Sequence, residues 1–258
     1  MNTTLQPIIN NALRLQTYTP SDEVNRVMGA LVHEVIESTG REDEHIASPQ
    51  EMLKLQHISA ETESELEKFW SRLVIKSTNS LDTLNSFPYL ANYQELTKRE
   101  VKLIEQSGLQ LNAHHKALII GSGPLPLSAY ELHLQTGVSV DHVDSSHEAI
   151  LLCEQFMQQL SVSSKYFEAV GESVMLQDVY DVILIAALAG STVSDKQKII
   201  DRILPHLAAD GRIVIRSARG SRTLLYPGIV SGDIQGVRLL EEYHPTDYII
   251  NSVFVYGR

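Results

Sequence analysis

The feature that most constrains this chain is a change of hydrophobic period near residue 115. Before it, apolar residues recur three and four apart, the mark of helices that bury one face. Val24, Val27, Met28, Leu31, Val35 and Ile36 make one such stripe. Ser48-Pro49-Gln50-Glu51 opens a second helix. Ser48 can cap it, Pro49 suits the first turn and Glu51 completes a capping box. Leu66, Phe69, Trp70, Leu73 and Val74 line a third, and a fourth, over about 93–106, carries Leu96, Val101 and Ile104 with Gly108 near its end. Each stripe is ordinary core packing. After His115 short apolar runs alternate with helical stretches. Strands are expected over 117–120, 138–144, 166–170, 182–188 and 212–216, with two more over 237–243 and 251–256 closing the sheet. Helices follow the first two strands, and another is expected over 194–207. Continuous apolar runs alternating with helices imply a parallel, doubly wound α/β sheet covered on both faces. The chain therefore divides into a helical part, 1–112, and an α/β part, 113–258.

Charge narrows the class of partner. Lys and Arg number 21 against 32 Asp and Glu, a net charge of −11. That disfavours a protein built to grip nucleic acid or an anionic membrane, which needs clustered positive charge. With one cysteine, Cys153, no intrachain disulfide forms and nothing suggests an oxidising compartment. The opening residues lack the basic start and apolar run of a signal peptide. The longest apolar stretch, 182–189, is far short of the ~20 residues that span a bilayer. A cytoplasmic location is the expectation.

Gly121-Ser122-Gly123 ends the first strand and leads into a helix. Glycines allow a sharp turn and close approach of a ligand, and a helix N-terminus adds unpaired N–H groups and partial positive charge, which suits a phosphate or carboxylate. Asp144 ends the next strand, roughly 20 positions on, where an acid partners ribose hydroxyls in nucleotide-binding sheets. The dinucleotide fingerprint wants a third glycine where this chain has Pro126, and Pro124 and Pro126 remove two amide donors. This tilts the ligand from NAD toward S-adenosylmethionine and leaves both open. No phosphate-binding GxxxxGK[ST] loop is present. Arg216, Arg219 and Arg222 recur every third residue beyond a strand end; they are either surface charges or a carboxylate grip, since Arg holds a carboxylate with two parallel hydrogen bonds. Ten histidines, among them the His114-His115 pair and His142 and His147 flanking Asp144, form no recognised metal motif, and no metal is expected.

Several ordered motifs resemble the nicotianamine synthase family. They are Gly121-Ser122-Gly123-Pro124-Leu125-Pro126-Leu127, Ala186-Ala187-Leu188-Ala189-Gly190, the run from Arg216 to Arg222 followed by Leu225-Tyr226-Pro227, and Tyr243-His244-Pro245-Thr246-Asp247 with Ile250-Asn251-Ser252-Val253. In the helical part, Pro20-Ser21-Asp22-Glu23-Val24-Asn25 and Phe87-Pro88-Tyr89-Leu90-Ala91-Asn92-Tyr93 are similar too. The short acidic chain looks most like the bacterial branch that makes opine metallophores of the staphylopine and pseudopaline type.

The resemblance implies a Rossmann-like, class I methyltransferase-type sheet under an N-terminal helical lobe. It also implies S-adenosylmethionine used as an aminobutanoate donor. An acceptor amine attacks the γ-carbon and methylthioadenosine leaves. In the opine branch the acceptor is usually the α-amine of histidine, and a separate opine dehydrogenase consumes the product. By the same resemblance, Glu67 orients or deprotonates the amine and Tyr93 assists. Gly121, Ser122, Gly123, Pro124, Leu125, Asp144, Ser145, Glu172, Ala186, Ala187 and Leu188 are expected around the donor. Arg216, Arg222, Tyr226, His244 and Asn251 are expected around the substrate carboxylates. A Glu beside Phe69 and Trp70 would have its pKa raised by desolvation, making it a better base. The exposed face of the lobe could carry a homodimer contact. Three rivals stand beside this reading: iterative nicotianamine synthesis from the donor alone, a small-molecule methyltransferase on the same fold, and a non-catalytic nucleotide-binding module.

Overall fold

The computed structural model describes residues 5–38 and 47–258. The first half is helical: α1 (Leu5–Ala12), α2 (Asp22–Glu37), α3 (Pro49–Lys76), α4 (Ser80–Asn85) and α5 (Leu90–Gln106). The second and third helices expected from the sequence are one. α3 runs unbroken for 28 residues, about 42 Å, because no Gly or Pro interrupts it after Pro49. Its capping box forms as expected, with the Ser48 side chain accepting from the Glu51 amide and Glu51 Oε2 accepting from Ser48 N at 2.9 Å. α1 and α4 lie outside the sequence reading. They are short, and α1 gains its place by burying Leu5 and Ile9 against Leu31 and Val35 of α2 and Leu55 of α3.

The second half is a seven-stranded sheet in the order β3-β2-β1-β4-β5-β7-β6. β1 (Lys116–Ile120), β2 (Ser139–Asp144), β3 (Tyr166–Glu168), β4 (Tyr180–Ile185) and β5 (Leu207–Ser217) are parallel. One of the last two strands corrects the expectation of a parallel sheet. β7 (Ser252–Gly257) is inserted antiparallel between β5 and β6 (Arg238–Tyr243). The connection over 244–251 is too short for the crossover a parallel pair needs, so the chain can only turn back. Helices α6 (Leu127–Thr136), α7 (His147–Gln159) and α8 (Val193–Ile203) cover the faces of the parallel strands. α6 starts only at Leu127, past the two prolines of the glycine turn, and stops at Gly137, which adopts a left-handed φ of 75°. The fourth strand ends at Ile185, earlier than expected, and 186–190 form a turn. Among the described residues no helix is long and apolar enough to cross a membrane.

The helical part is fastened across the carboxyl ends of the strands. Arg99 on α5 donates to Asp247 Oδ2 at 2.6 Å, to Asp247 Oδ1 at 3.1 Å and to the Tyr243 hydroxyl at 2.6 Å. This fork–fork pair joins α5 to the segment between β6 and β7. Replacing Arg99 with Ala should lower unfolding stability by about 1–2 kcal/mol, a value reduced by the partial exposure of the pair. Urea denaturation measures it, and an unchanged midpoint would show the clasp to be dispensable.

Candidate active site

A cavity of ≈ 830 Å³ lies between the two parts, at the carboxyl ends of the strands. Its floor is where β1 and β4 are neighbours and the strand order reverses, the usual ligand crevice of an open α/β sheet. Three loops form that floor: the glycine turn at 121–125, the end of β2 with Asp144 and Ser145, and the 186–191 turn. The short 3₁₀ turn Gly171–Ser173 adds Gly171 and Glu172. α2, α3 and α5 supply the roof.

The glycine turn is shaped by what presses on it. Gly121 has φ 79°, and a Cβ there would lie 3.1 Å from Ala189 Cβ and 3.2 Å from Ala186 Cβ. Gly123 has φ 68°, and a Cβ there would lie 2.6 Å from Glu67 Oε2. Both positions therefore disfavour a side chain on conformation, and one at either would press on these neighbours. The Gly123 amide donates to Asp144 Oδ2 at 2.9 Å, and the Ser146 amide donates to Asp144 Oδ1 at 2.9 Å. Asp144 thus braces the turn while its remaining lone pairs face the cavity. Ser146 caps α7, its side chain accepting from the Ala149 amide. Ser145 stays exposed on the cavity wall. Ser122, Pro124, Leu125, Ala186, Ala187 and Leu188 line the cavity.

Facing that turn is a half-buried acid cluster. Glu63 and Glu67 sit one turn apart on the same face of α3. The Tyr93 hydroxyl donates to Glu67 Oε1 at 2.8 Å, with Glu63 Oε1 at 3.4 Å. The Tyr226 hydroxyl donates to Glu63 Oε2 at 2.8 Å. Burial, and then the charge of Glu63, push the Glu67 carboxyl well above the usual glutamate range. Burial raises Glu63 as well, against the two tyrosine hydrogen bonds. Burial, reinforced by the carboxylates, keeps both phenols protonated far above neutral pH, so they act as donors. Two half-buried carboxylates this close favour sharing a proton over both ionising. Trp70 and Phe87 pack behind, ring centroids 5.5 Å apart, with Phe87 6.3 Å from Tyr93.

The structure brings Glu67, Tyr93, Arg216, Tyr226 and Asn251 to one cavity. Arg216 does so with its guanidinium committed: Nε donates to Glu100 Oε1 at 2.6 Å and Nη2 to Glu100 Oε2 at 2.8 Å, both residues being buried. Asn251 Nδ2 is buried with no partner among the described residues. Arg222 and His244 are not among the residues lining the cavity. Arg222 donates to the Asp247 carbonyl at 2.7 Å, and His244 is held by Ser252 Oγ at 2.8 Å and Glu242 Oε1 at 2.6 Å. Arg219 is exposed. His142 is buried and stacked on Tyr166, and burial lowers its pKa to about 4, so it is neutral. Among the described residues no group of three or more His, Cys, Asp or Glu could hold a metal ion. Sequence reasoning missed Glu63, for which the only signal is its four-residue spacing from Glu67. It also missed that Val24, Met28 and Ile36, counted as core, line the cavity together with Val32.

The strand order, with its reversed seventh strand, defines a Rossmann-like α/β fold of the class I methyltransferase type. The family model described as nicotianamine synthase protein matches residues 3–258, and the chain belongs to that family. Nicotianamine synthase 3 of Arabidopsis thaliana is 33% identical over 255 residues, covering 94% of this chain and 78% of the relative. Among solved structures, MtNAS in complex with MTA and tNA aligns with a TM-score of 0.83 at 23% identity, covering 100% of this chain and 99% of that one. An MtNAS Glu-to-Gln mutant in complex with S-adenosylmethionine aligns at 0.82 and 22%, covering 99% and 96%. At these identities the structural likeness is one of fold.

The raised Glu67 carboxyl carries a stability consequence. The folded state holds this proton more tightly than the unfolded chain. The associated stability is therefore present below the ordinary glutamate pKa and is lost as pH rises through the folded value. Glu67→Gln, which carries no titrating group there, should match the native protein near pH 4 and become progressively more stable than it toward pH 8. Urea midpoints across that range measure the gap, and a gap that shrinks with pH would refute the raised pKa.

Proposed function

We propose that this protein transfers the aminobutanoate portion of S-adenosylmethionine to the α-amine of an amino acid, and that the acceptor is histidine. The placement of Glu67 against the Gly123 turn carries the reading: a half-buried carboxyl from the helical part fills the space beside the loop expected to seat the donor. The cavity suits the donor: the tight glycine turn and the α6 N-terminus behind it favour its carboxylate, and Asp144 has lone pairs for ribose hydroxyls. The unpartnered Asn251 amide is free to donate to a carboxylate of either substrate.

The donor supplies an activated leaving group, a sulfonium whose departure needs no general acid. The residues of this chain do the rest. An amino-acid ammonium has no lone pair, so Glu67, partnered by Glu63, takes one proton from it. Tyr93 holds the Glu67 carboxylate in place by donating to it. The neutral nitrogen bonds to the γ-carbon, the γ-carbon–sulfur bond breaks with its electron pair passing to sulfur, and methylthioadenosine results. A wall of Val24, Met28 and Leu225 keeps water from the reacting atoms. Positioning alone decides which of three sulfonium-linked carbons meets the nitrogen. This assigns the chain one transfer step in opine metallophore biosynthesis, in the cytoplasm, ahead of an opine dehydrogenase that consumes the product.

Mass spectrometry of the enzyme with S-adenosylmethionine and histidine should show methylthioadenosine and a histidine enlarged by one aminobutanoate unit. S-adenosylhomocysteine with a methylated acceptor would overturn the reaction type. Product formed from the donor alone would replace the histidine acceptor with iterative nicotianamine synthesis. Glu67→Gln should lower kcat by ~10²–10⁴-fold, the range for a lost general base.

A further inference from the structure

One buried charge takes no part in this chemistry. Lys196, in the first turn of α8, is completely buried. Among the described residues its ammonium meets no carboxylate. Nζ instead donates to three backbone carbonyls of the turn that follows β4: Ala189 O at 2.8 Å, Ala187 O at 3.1 Å and Ala186 O at 3.3 Å. Burial alone lowers its pKa, to about 8, so it is still mostly charged at pH 7. A lone ammonium in such a place is unfavourable unless its donors are satisfied, and this turn satisfies all three. The fit is close on the backbone side as well. Gly190 has φ 77°, and a Cβ there would lie 3.0 Å from the Lys196 amide nitrogen and 3.2 Å from Lys196 Cγ.

The consequence follows from peptide geometry. In a trans peptide the carbonyl and the next amide point in opposite directions. With the carbonyls of 186, 187 and 189 drawn down to the ammonium, the amides of Ala187, Leu188 and Gly190 point away from it, toward the cavity these residues line. None of those three amides donates to an acceptor among the described residues. The turn is therefore a small set of backbone donors held open from behind.

We infer that Lys196 is a positioning residue that sets this turn so its amides bind the hydrogen-bond acceptors of the donor's nucleoside. This rests on the donor-site reading above and extends it to a residue that touches no substrate. The remaining charged groups nearby do not compete for the ammonium. Asp195, on the same helix, is engaged by Thr192 and Lys198, while Lys198 and Glu172 are exposed.

Lys196→Met keeps length and bulk but removes all three donors. The probe is methylthioadenosine, titrated calorimetrically, with donor and acceptor KM measured alongside. We expect the dissociation constant and the donor KM to rise ~10-fold, the size of one lost hydrogen bond to a charged group, with the acceptor KM unmoved. A general structural defect would move both KM values, and unchanged nucleoside affinity would overturn the inference. If the variant does not fold, the native enzyme decides. Methylthioadenosine has no group titrating between pH 7 and 10, so its affinity should fall as pH passes about 8, and should do so equally in Glu67→Gln, which removes one of the acid pair facing the same cavity. A flat profile overturns the inference. A native enzyme that does not bind methylthioadenosine at pH 7 overturns the donor-site reading itself, and this inference with it.

Discussion

Two carboxyl groups, Glu63 and Glu67, lie one helical turn apart in one cavity with two phenols as their hydrogen-bond partners. Removing them from water disfavours their charged forms, and each disfavours the charge of the other. Much of the surrounding structure accommodates this. α3 must be helical across 63–67 to hold both on one face. Residue 123 favours glycine because its φ of 68° is left-handed, and a side chain there would also displace the Glu67 carboxyl. Tyr93 and Tyr226 must remain protonated, and burial ensures it. Even the nearby cation is withheld: Arg216 reaches the cavity with its charge matched by Glu100, so it moderates the pair without neutralising it.

The chemistry is divided between the two parts of the chain. The sheet offers what many sheets of this type offer: a glycine turn, an acid at the end of β2 and backbone donors after β4. Such a floor does not specify a reaction. In the proposed reaction specificity comes from the roof, where the helical part lowers two carboxyl groups onto the floor. Methyl transfer on the same sheet needs an open path to a different carbon. The clasp of Arg99 on Asp247 and the Arg216–Glu100 pair both cross between the parts, so registry of roof and floor rests on charged contacts with defined geometry.

Sequence revealed the floor well. The period change, the strand ends, the glycine turn and Asp144 all follow from local rules, since a parallel strand buried on both faces must be apolar and must end in a loop. The reversal of β7 was less visible, because a strand's composition does not record its direction. The merging of two expected helices into α3 was legible only in hindsight, from the lack of a breaker. The roof was harder. Glu67 and Tyr93 came from family resemblance, because an acid on a polar helix face looks the same whether it meets water or a cavity. Glu63 was hidden for that reason, and the Arg222 and His244 side chains, which motifs suggested for the substrate, are spent on Asp247 and on Ser252 and Glu242. Lys196 showed no sign at all, since its partners are carbonyls, which every residue carries.

The protonation state of the acid pair is the most direct test. Carboxyl signals of Glu63 and Glu67, assigned by selective labelling and by the two Glu→Gln variants, can be followed by ¹³C NMR or infrared titration of the ligand-free protein. A carboxyl that keeps its proton well above the ordinary glutamate range, shifting when its partner is removed, is the expected result. Two carboxylates that ionise independently at ordinary values would contradict it, and the pair would then lack the raised basicity that the proposed transfer asks of it.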